Sequence, residues 1–386
     1  MKYIFYTNII SPHQLPWCCE FAKLVGEKNF LYIVEEELHE ERKTLGWGDD
    51  CKEWIRHLHD SSEALYNELE MCDILITSLR KTELLKKRAA AGLRSYYMFE
   101  RWFKPPLGAW RMFHPGYYKM CKEFKMLSAD PSIRLLPIGI YGASDIVKMQ
   151  AALTNPFILL ERSHPKDISA GSPMEKCGPD MRLWGYFVTP AAEDRRESSP
   201  EELSIFWCGR MLDWKRVDTL VKAAKFLLTK EIPLTLTLVG QGPEEFRLRK
   251  TAGKWLDDKI FFHPPAKIEE IRRYMQKNDV YVLASDGGEG WGAALNEAMA
   301  EGMIPVGTYE AGSSATMIEH GKNGFLYHSK NVKELGCILE QIWKLKQSCK
   351  DQEIRQNALE TIRNIWSPVN AASRLLTDCE EWMADK

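Results

Sequence analysis

The chain has 386 residues, more than one hydrophobic core usually serves, so two domains are expected. An apolar share of 45% with mixed charges excludes the disordered and fibrous classes, and a net charge of −2 argues against a dedicated nucleic-acid binder. Ten cysteines are scattered without CxxC pairs or His/Cys ligand spacing, and Cys18 and Cys19 are adjacent. That usage suits free thiols in a reducing cytosol rather than disulfides or a zinc site. No signal peptide is legible, and no apolar run is long enough to span a bilayer. The expectation is a cytoplasmic protein, at most peripheral on the inner face of the membrane.

In chain order, residues 2–9 read as a buried strand, and the polar loop Ser11–Pro16 leads into a helix. Further strands are predicted at Phe30–Val34, Asp73–Thr77, Tyr96–Phe99, Ile133–Ile138 and Leu183–Val188, with helical patterns at Cys51–Glu70 and Glu83–Ala91. Between Arg80 and Lys125 basic residues far outnumber the acids Glu83, Glu100 and Glu123. Trp102, Phe103, Trp110, Phe113, Tyr117 and Tyr118 are interleaved among them. Two readings stay open for this segment: docking on an anionic bilayer, or a solvated basic face over an ordinary core.

Residues 190–203, beginning PAAEDRRESSPEE, are polar, lack apolar periodicity and read as a linker. The alternation then restarts, with strands at Leu203–Cys208, Leu234–Val239, Lys259–Phe262, Val280–Ala284, Ile304–Gly307 and Gly324–Tyr327. Helices fall between them at Val217–Thr229, Ile268–Met275 and Ala293–Glu301. After about Asn331 the pattern is helical, interrupted at Trp366-Ser367-Pro368 before a last amphipathic helix. The expected class is α/β: two doubly wound, Rossmann-like domains facing across a cleft, with ligands at the carboxyl ends of the strands.

The segment Ser285–Thr308, SDGGEGWGAALNEAMAEGMIPVGT, concentrates the chemistry. An apolar strand runs into a turn containing Gly287, Gly288, Gly290 and Gly292, then a short helix, with Glu289 in the turn and Glu297 in the helix. A helix start offers unpaired N–H groups and partial positive charge to a phosphate. Carboxylates on either side could accept sugar hydroxyls, which makes this a nucleotide-sugar site on its residues alone. Small Ala293, Ala294 and Ala298 would let a ligand or another chain approach the first turn. Gly209-Arg210 follows one strand and Lys215 precedes the next helix, where the two cations could neutralise a diphosphate; taken alone they are equally surface charges. Gly240-Gln241-Gly242-Pro243 lacks the third glycine of a dinucleotide fingerprint and reads as a tight turn admitting a ligand to the backbone. His263-Pro264-Pro265-Ala266 is a base-pocket lining or simply a rigid turn.

Together WCGRMLDWKRVDTLVKAA, TLVGQGPEE, GEGWGAALNEAMAEGMIPVGT and EHGKNGFLY resemble the retaining glycosyltransferases of the GT-B fold, in the large family-four group. The first half, through SPHQLPW, SYYMFERWFKP and RLWGYF, looks most like capsule and lipopolysaccharide enzymes. The resemblance implies an N-terminal acceptor domain at 1–189 with a C-terminal helix, 367–386, crossing back onto it, and a donor domain at 204–366. It implies that Arg210 and Lys215 bind the donor diphosphate, that Glu297 holds the ribose, and that Glu289 contacts the donor sugar. Gly209, Gly240 and the backbone of Gly290, Trp291, Gly292, Leu295 and Asn296 would complete the donor site. It further implies retention of anomeric configuration with neither metal nor cofactor. UDP is the first guess for the nucleotide, and the acceptor would be a glycan or a lipid-linked sugar. Arg216 stands where the family commonly has glycine, and Ser313-Ser314-Ala315 replaces a glycine-rich stretch. The first loop lacks the family's paired glycines, leaving His13 as an acceptor-side candidate. Glu100 or Arg101, also acceptor-side candidates, would take the place of the first-domain histidine that touches the donor sugar in many relatives, with His114 a weaker candidate.

Three other readings compete: a GT-B nucleotide-sugar epimerase or hydrolase, a nicotinamide-dependent oxidoreductase, and a non-catalytic sugar-nucleotide binder. The missing G-x-G-x-x-G after the first strand counts against the oxidoreductase. Retention of Arg210, Lys215, Glu289 and Glu297 together counts against the silent binder.

Overall fold

The computed structural model describes residues 1–48, 52–58, 62–104, 113–128, 130–152, 171–178, 180–191 and 201–385. Residues 192–200 of the expected linker, Trp110 and Arg111 of the basic segment, and Cys51 lie outside the described residues. The described parts of 1–164, 171–187 and 366–385 form one compact unit, and 188–365 a second.

In the first unit the strands are β1 (Tyr3–Thr7), β2 (Phe30–Val34), β3 (Ile55–His57), β4 (Ile74–Thr77), β5 (Arg94–Phe99), β6 (Ile133–Pro137), β7 (Lys176–Gly178) and β8 (Met181–Arg182). They form one sheet in the order β3-β2-β1-β4-β5-β6-β8-β7, parallel except where β7 meets β8. Every residue of β1, β4 and β6 is buried, as befits parallel strands covered on both faces. The helices are α1 (Leu15–Val25), α2 (Glu40–Thr44), α3 (Ser62–Met71), α4 (Thr82–Ala90), α5 (Gly116–Leu127), α6 (Gly139–Ala152) and the chain's last, α14 (Pro368–Ala384), which packs on α1. A buried carboxylate holds α14 to the sheet. Asp378 accepts hydrogen bonds from Tyr96 Oη at 2.6 Å, Arg134 Nη1 at 2.7 Å and Arg182 Nε at 2.7 Å.

Two sequence expectations fail in this unit. The helix expected over Cys51–Glu70 begins only at Ser62, and β3 lies within its range. Buried Trp54, packed 5.3 Å from Phe30, and the pairing of Ile55 with Tyr32 pull those residues onto the sheet edge. Tertiary pairing there overrides local pattern. The strand expected over Leu183–Val188 is irregular beyond a single bridge from Trp184 to Ile138. Trp184 instead meets Trp17 and Phe187 edge-on, and Phe187 N–H donates to the carbonyl of His13. Aromatic packing, not ladder bonding, buries that apolar run.

The second unit is a six-stranded parallel sheet in the order β11-β10-β9-β12-β13-β14. Its strands are β9 (Leu203–Cys208), β10 (Leu234–Val239), β11 (Ile260–His263), β12 (Val280–Leu283), β13 (Ile304–Thr308) and β14 (Phe325–Tyr327). Helices α7 (Val217–Thr229), α8 (Glu245–Ala252), α9 (Ile268–Lys277), α10 (Ala294–Ala300), α11 (Gly312–Met317), α12 (Val332–Gln347) and α13 (Asp351–Asn364) cover both faces. The sheet order reverses at β9/β12, the switch point where α/β sheets bind ligands. Behind it Asp279, fully buried, takes Lys346 Nζ at 2.5 Å, Arg355 Nη2 at 2.8 Å and Ser204 Oγ at 2.9 Å. Each unit is thus a doubly wound α/β layer structure.

Candidate functional site

The loops following β9 and β12, on the two sides of the switch point, carry most of the donor-side candidates. After β9 the chain turns at Gly209 (φ +144°), passes exposed Arg210, and closes a short 3-10 turn, Asp213–Lys215. Arg216 follows in the left-handed region (φ 50°, ψ 33°), which accounts for glycine being the common residue there. Its guanidinium pairs with Asp218 at 3.0 Å and Asp213 at 3.2 Å, steadying the entry to α7.

The glycines after β10 serve this loop. A Cβ at Gly240 would lie 1.9 Å from the Gly209 carbonyl oxygen, and one at Gly242 would lie 2.5 Å from that of Met211. Met211 N–H donates to Gln241 O, and Glu244 N–H to Met211 O. The close approach expected of a ligand at Gly240 is therefore made by the chain's own backbone.

Lys215 forms an ion pair with Glu289, half-buried ammonium against buried carboxylate. The Lys215 ammonium also stands 4.6 Å from the Trp214 ring, and Ser285 Oγ donates to Glu289 Oε2 at 2.9 Å. Asp286 N–H donates to the Trp214 carbonyl at 2.9 Å, tying the two loops backbone to backbone. Glu297, half-buried on α10, shares surroundings with both. Burial and then the Glu297 carboxylate push the Cys208 thiol up, while Lys215 pulls against them. The buried Tyr281 hydroxyl is raised by desolvation, Cys208, Glu289 and Glu297 together. Two acids and one cation thus converge at the carboxyl end of β9 and β12.

The turn between them is tightly built. Gly292 adopts φ +96°, and a Cβ there would come 2.8 Å from Leu283. A Cβ at Gly312 would lie 2.0 Å from the Gly290 carbonyl oxygen. Trp291 Nε1 donates to Asn296 Oδ1 at 2.8 Å, and the side chains of Trp291, Leu295 and Asn296 are buried, so only their backbone is left for a ligand. Ala298 is buried too and faces the core, whereas Ala293 and Ala294 are half-buried. Ser313 Oγ donates to Gly292 O at 3.1 Å and Ser314 Oγ to Thr308 O, both side chains being buried. Ser313 thus ties the turn to α11, and Ser314 ties α11 to the end of β13. His263, the last residue of β11, packs 5.6 Å from Tyr274, which stacks on Phe206.

In the first unit His13 and Glu100 are joined through one residue absent from the candidates, Tyr186. Its ring lies 5.8 Å from His13, and its hydroxyl donates to Glu100 Oε1 at 2.9 Å. Glu100 also pairs with Lys104, and Arg101 sits 4.4 Å over the Tyr141 ring and 3.9 Å from Asp145. Burial raises the Asp145 carboxyl, against Arg101 and the Phe103 and Trp102 N–H groups that bond it. His114 lies apart, accepting from Gly116 N–H at the start of α5. Ser285, Trp214, Cys208 and Tyr186 were missed because each is an ordinary core or turn residue until the fold brings its partner.

The basic segment is less exposed than its composition suggests. Arg88 is fully buried, donating to Ser95, Leu69 O and Arg94 O, and Trp102, Phe103 and Tyr117 are buried as well. Its exposed groups include Arg80, Lys86 and Lys87, each ion-paired with an acid, the row Lys119, Lys122 and Lys125 on α5, and the Phe113 ring before it. Among the described residues no helix is long and apolar enough to cross a membrane, no disulfide joins the cysteines, and no cluster of three His, Cys, Asp or Glu could hold a metal ion.

Residues 190–361 match the glycosyl transferases group 1 family. An uncharacterized glycosyltransferase of Methanocaldococcus jannaschii is 28% identical over 57% of this chain and 55% of its own length. The UDP-N-acetylglucosamine–peptide N-acetylglucosaminyltransferase GtfA subunit of Streptococcus gordonii is 29% identical over 44% of this chain and 34% of its own. The chain thus spans about half, or less, of the curated relatives it matches. Among solved structures, Anabaena HepE in complex with UDP superposes over 99% of this chain and 100% of its own with a TM-score of 0.68 at 14% identity, a likeness of fold. Two parallel-sheet Rossmann-like units give the chain the GT-B fold, and the match to the glycosyl transferases group 1 family runs through the second of them.

Proposed function

We propose that this protein transfers a sugar from a nucleotide-diphosphate sugar, with UDP as the nucleotide, to a glycan or lipid-linked acceptor in surface polysaccharide synthesis. The observation that carries the reading is the Lys215–Glu289 pair beside Glu297, a cation and two acids at the switch point of a doubly wound sheet. Arg210 and Lys215 would hold the diphosphate, Glu289 the donor sugar and Glu297 the ribose. Gly209, with Gly240 packed against its carbonyl, and the backbone from Gly290 to Asn296 would shape the floor. His13, Glu100 and Arg101 would face the acceptor. The transfer would retain anomeric configuration without metal or cofactor, the departing phosphate taking the acceptor's proton. Catalysis would then be chiefly stabilisation of leaving-group charge. The likeness to HepE, solved with UDP and separately with UDP-glucose, supports the choice of nucleotide.

The test is a thermal-shift and calorimetric screen of nucleoside diphosphates, UDP-sugars and nicotinamide nucleotides, since a true donor stabilises the fold by mass action. Stabilisation by UDP and by a UDP-sugar is expected. Binding of NAD with indifference to UDP would sink the reading. Incubating the donor without acceptor separates a transferase from an epimerase or hydrolase, and NMR of the product anomer reports retention.

A further inference from the structure

Glu289 is held by one of its two oxygens. Oε2 accepts both the Lys215 ammonium and, at 2.9 Å, Ser285 Oγ, whereas Oε1 accepts from none of the described residues. The Glu289 side chain is 10% exposed, so Oε1 is the oxygen left for the hydroxyl of a ligand. Ser285 is itself fixed. It is fully buried just after β12, and its carbonyl accepts Thr308 Oγ1 at 2.6 Å. Thr308 O in turn accepts Ser314 Oγ at 2.5 Å, and both of these side chains are fully buried too. Their approach requires glycine at 307, since a Cβ there would lie 2.3 Å from Ser314 Cβ. A chain of hydroxyls thus runs from α11 through the end of β13 to the loop after β12, and its last member ends on Glu289.

The two donors on Oε2 differ in what a ligand does to them. Lys215, on a flexible stem and 19% exposed, is the cation assigned above to the donor diphosphate. A diphosphate carries more negative charge than one carboxylate, so its arrival draws the ammonium off Oε2. Ser285 Oγ, fully buried and pinned through its own backbone, stays where it is. We propose that Ser285 is a positioning residue for the donor sugar: it keeps Oε2 of Glu289 tied down once Lys215 turns to the diphosphate, and so leaves Oε1 aimed at a sugar hydroxyl. This rests on the transferase reading and gives Ser285 no contact with the donor itself. A binding carboxylate keeps its geometry only when a neighbouring hydrogen bond locks its rotamer, and here that lock is a single hydroxyl. Trp214 serves the other partner, its ring lying 4.6 Å from the Lys215 ammonium. Loss of the Ser285 hydroxyl should therefore weaken a UDP-sugar and spare UDP, which has no sugar to reach Glu289.

Calorimetric titration of the full chain with UDP, UDP-glucose, UDP-galactose and UDP-N-acetylglucosamine tests it. The quantity read is the affinity for a UDP-sugar relative to that for UDP. Ser285→Ala should lower this ratio about tenfold, the scale of one hydrogen bond to a charged group, while UDP affinity and a single melting transition are kept. Ser285→Cys, which fills the same space with a weak donor, should match Ser285→Ala. In a Glu289→Ala background, Ser285→Ala should change the ratio no further, as expected of two residues acting through one contact. An unchanged ratio in Ser285→Ala, a Ser285→Cys chain that binds as the unaltered one does, or an additive loss in the double variant overturns the inference. An equal fall in UDP and UDP-sugar affinity also overturns it, since that marks a general loosening of the loop. So does binding of UDP with none of the three sugars. Failure of UDP to bind the unaltered chain instead strikes the donor reading, and the inference falls with it.

Discussion

Lys215 ends a 3-10 turn, with its ammonium against Glu289 and above Trp214, so one side chain spans the loops after β9 and β12. Removing it should leave the strands and helices untouched, because they are held by the core behind them. Lys215→Ala is expected to raise the barrier by about 3 kcal/mol, roughly a hundredfold in turnover, the typical loss of one preorganised charge-stabilising donor. A transfer assay and a melting curve run together check this; near-normal turnover would remove Lys215 from the mechanism. Arg216 tests a different balance, that of backbone strain. Either small substitution loses the Asp213 and Asp218 pairs, but only glycine relieves the left-handed backbone. Arg216→Ala should therefore be less stable than Arg216→Gly by about 1 kcal/mol, measured by urea unfolding. Sequence pointed to Lys215 and Glu289 because a cation and an acid at strand ends are chemically conspicuous. Ser285 and Trp214 went unseen, since their work depends on which neighbour the fold sets against them.

At the scale of elements, α5 and α14 show how composition and packing part company. The aromatics of Arg80–Lys125 looked interfacial, yet Tyr117, Phe124 and Leu127 of α5 are buried, and Trp102 and Phe103 lie in the same core. What faces water on and just before α5 is the lysine row with the Phe113 ring, so the electrostatic share of any membrane contact made by α5 falls to those lysines. Each lysine near an anionic surface contributes about 1 kcal/mol. Sedimentation with phosphatidylserine vesicles should show salt-sensitive binding that is abolished when Lys119, Lys122 and Lys125 are all changed to Glu. Binding by the triple variant equal to that of the unaltered chain would refute the role of α5. For α14 the anchor is Asp378. Removing it strands Arg134 and Arg182, whose side chains are 10% and 15% exposed. Asp378→Ala should cost about 3–5 kcal/mol, as for other broken buried pairs, read from the unfolding transition of the first unit. The amphipathic helix was legible as a pattern; its acidic clasp on β5, β6 and β8 was not, because those partners lie far away in sequence.

For the molecule as a whole, the buried Asp279 cluster predicts an acid limit. Burial alone would raise its carboxyl, but Arg355, Lys346 and the Ser204 N–H hold it below the usual carboxylate range. A depressed folded value means the stabilisation is complete above the unfolded value of about 3.9 and fades as pH falls through the lower folded one. The melting temperature of the second unit should thus be flat near neutrality and drop below about pH 4, with the drop made smaller in Asp279→Asn and the rest left to Asp218 and Glu340, which are held low as well. The sequence by itself determined the α/β class, the restart of the alternation after residue 203, and most strands of the second sheet. Those strands are apolar or alternating runs, bounded by glycine or by polar turns, and need no distant partner to be recognised. Only tertiary structure decided the edge strand Ile55–His57, the irregular path after Met181, the backbone-to-backbone fit of Gly209 with Gly240, and the hydroxyl chain from Ser314 to Glu289. Each depends on groups that meet across the fold, and side-chain periodicity along one segment carries no record of what lies opposite it.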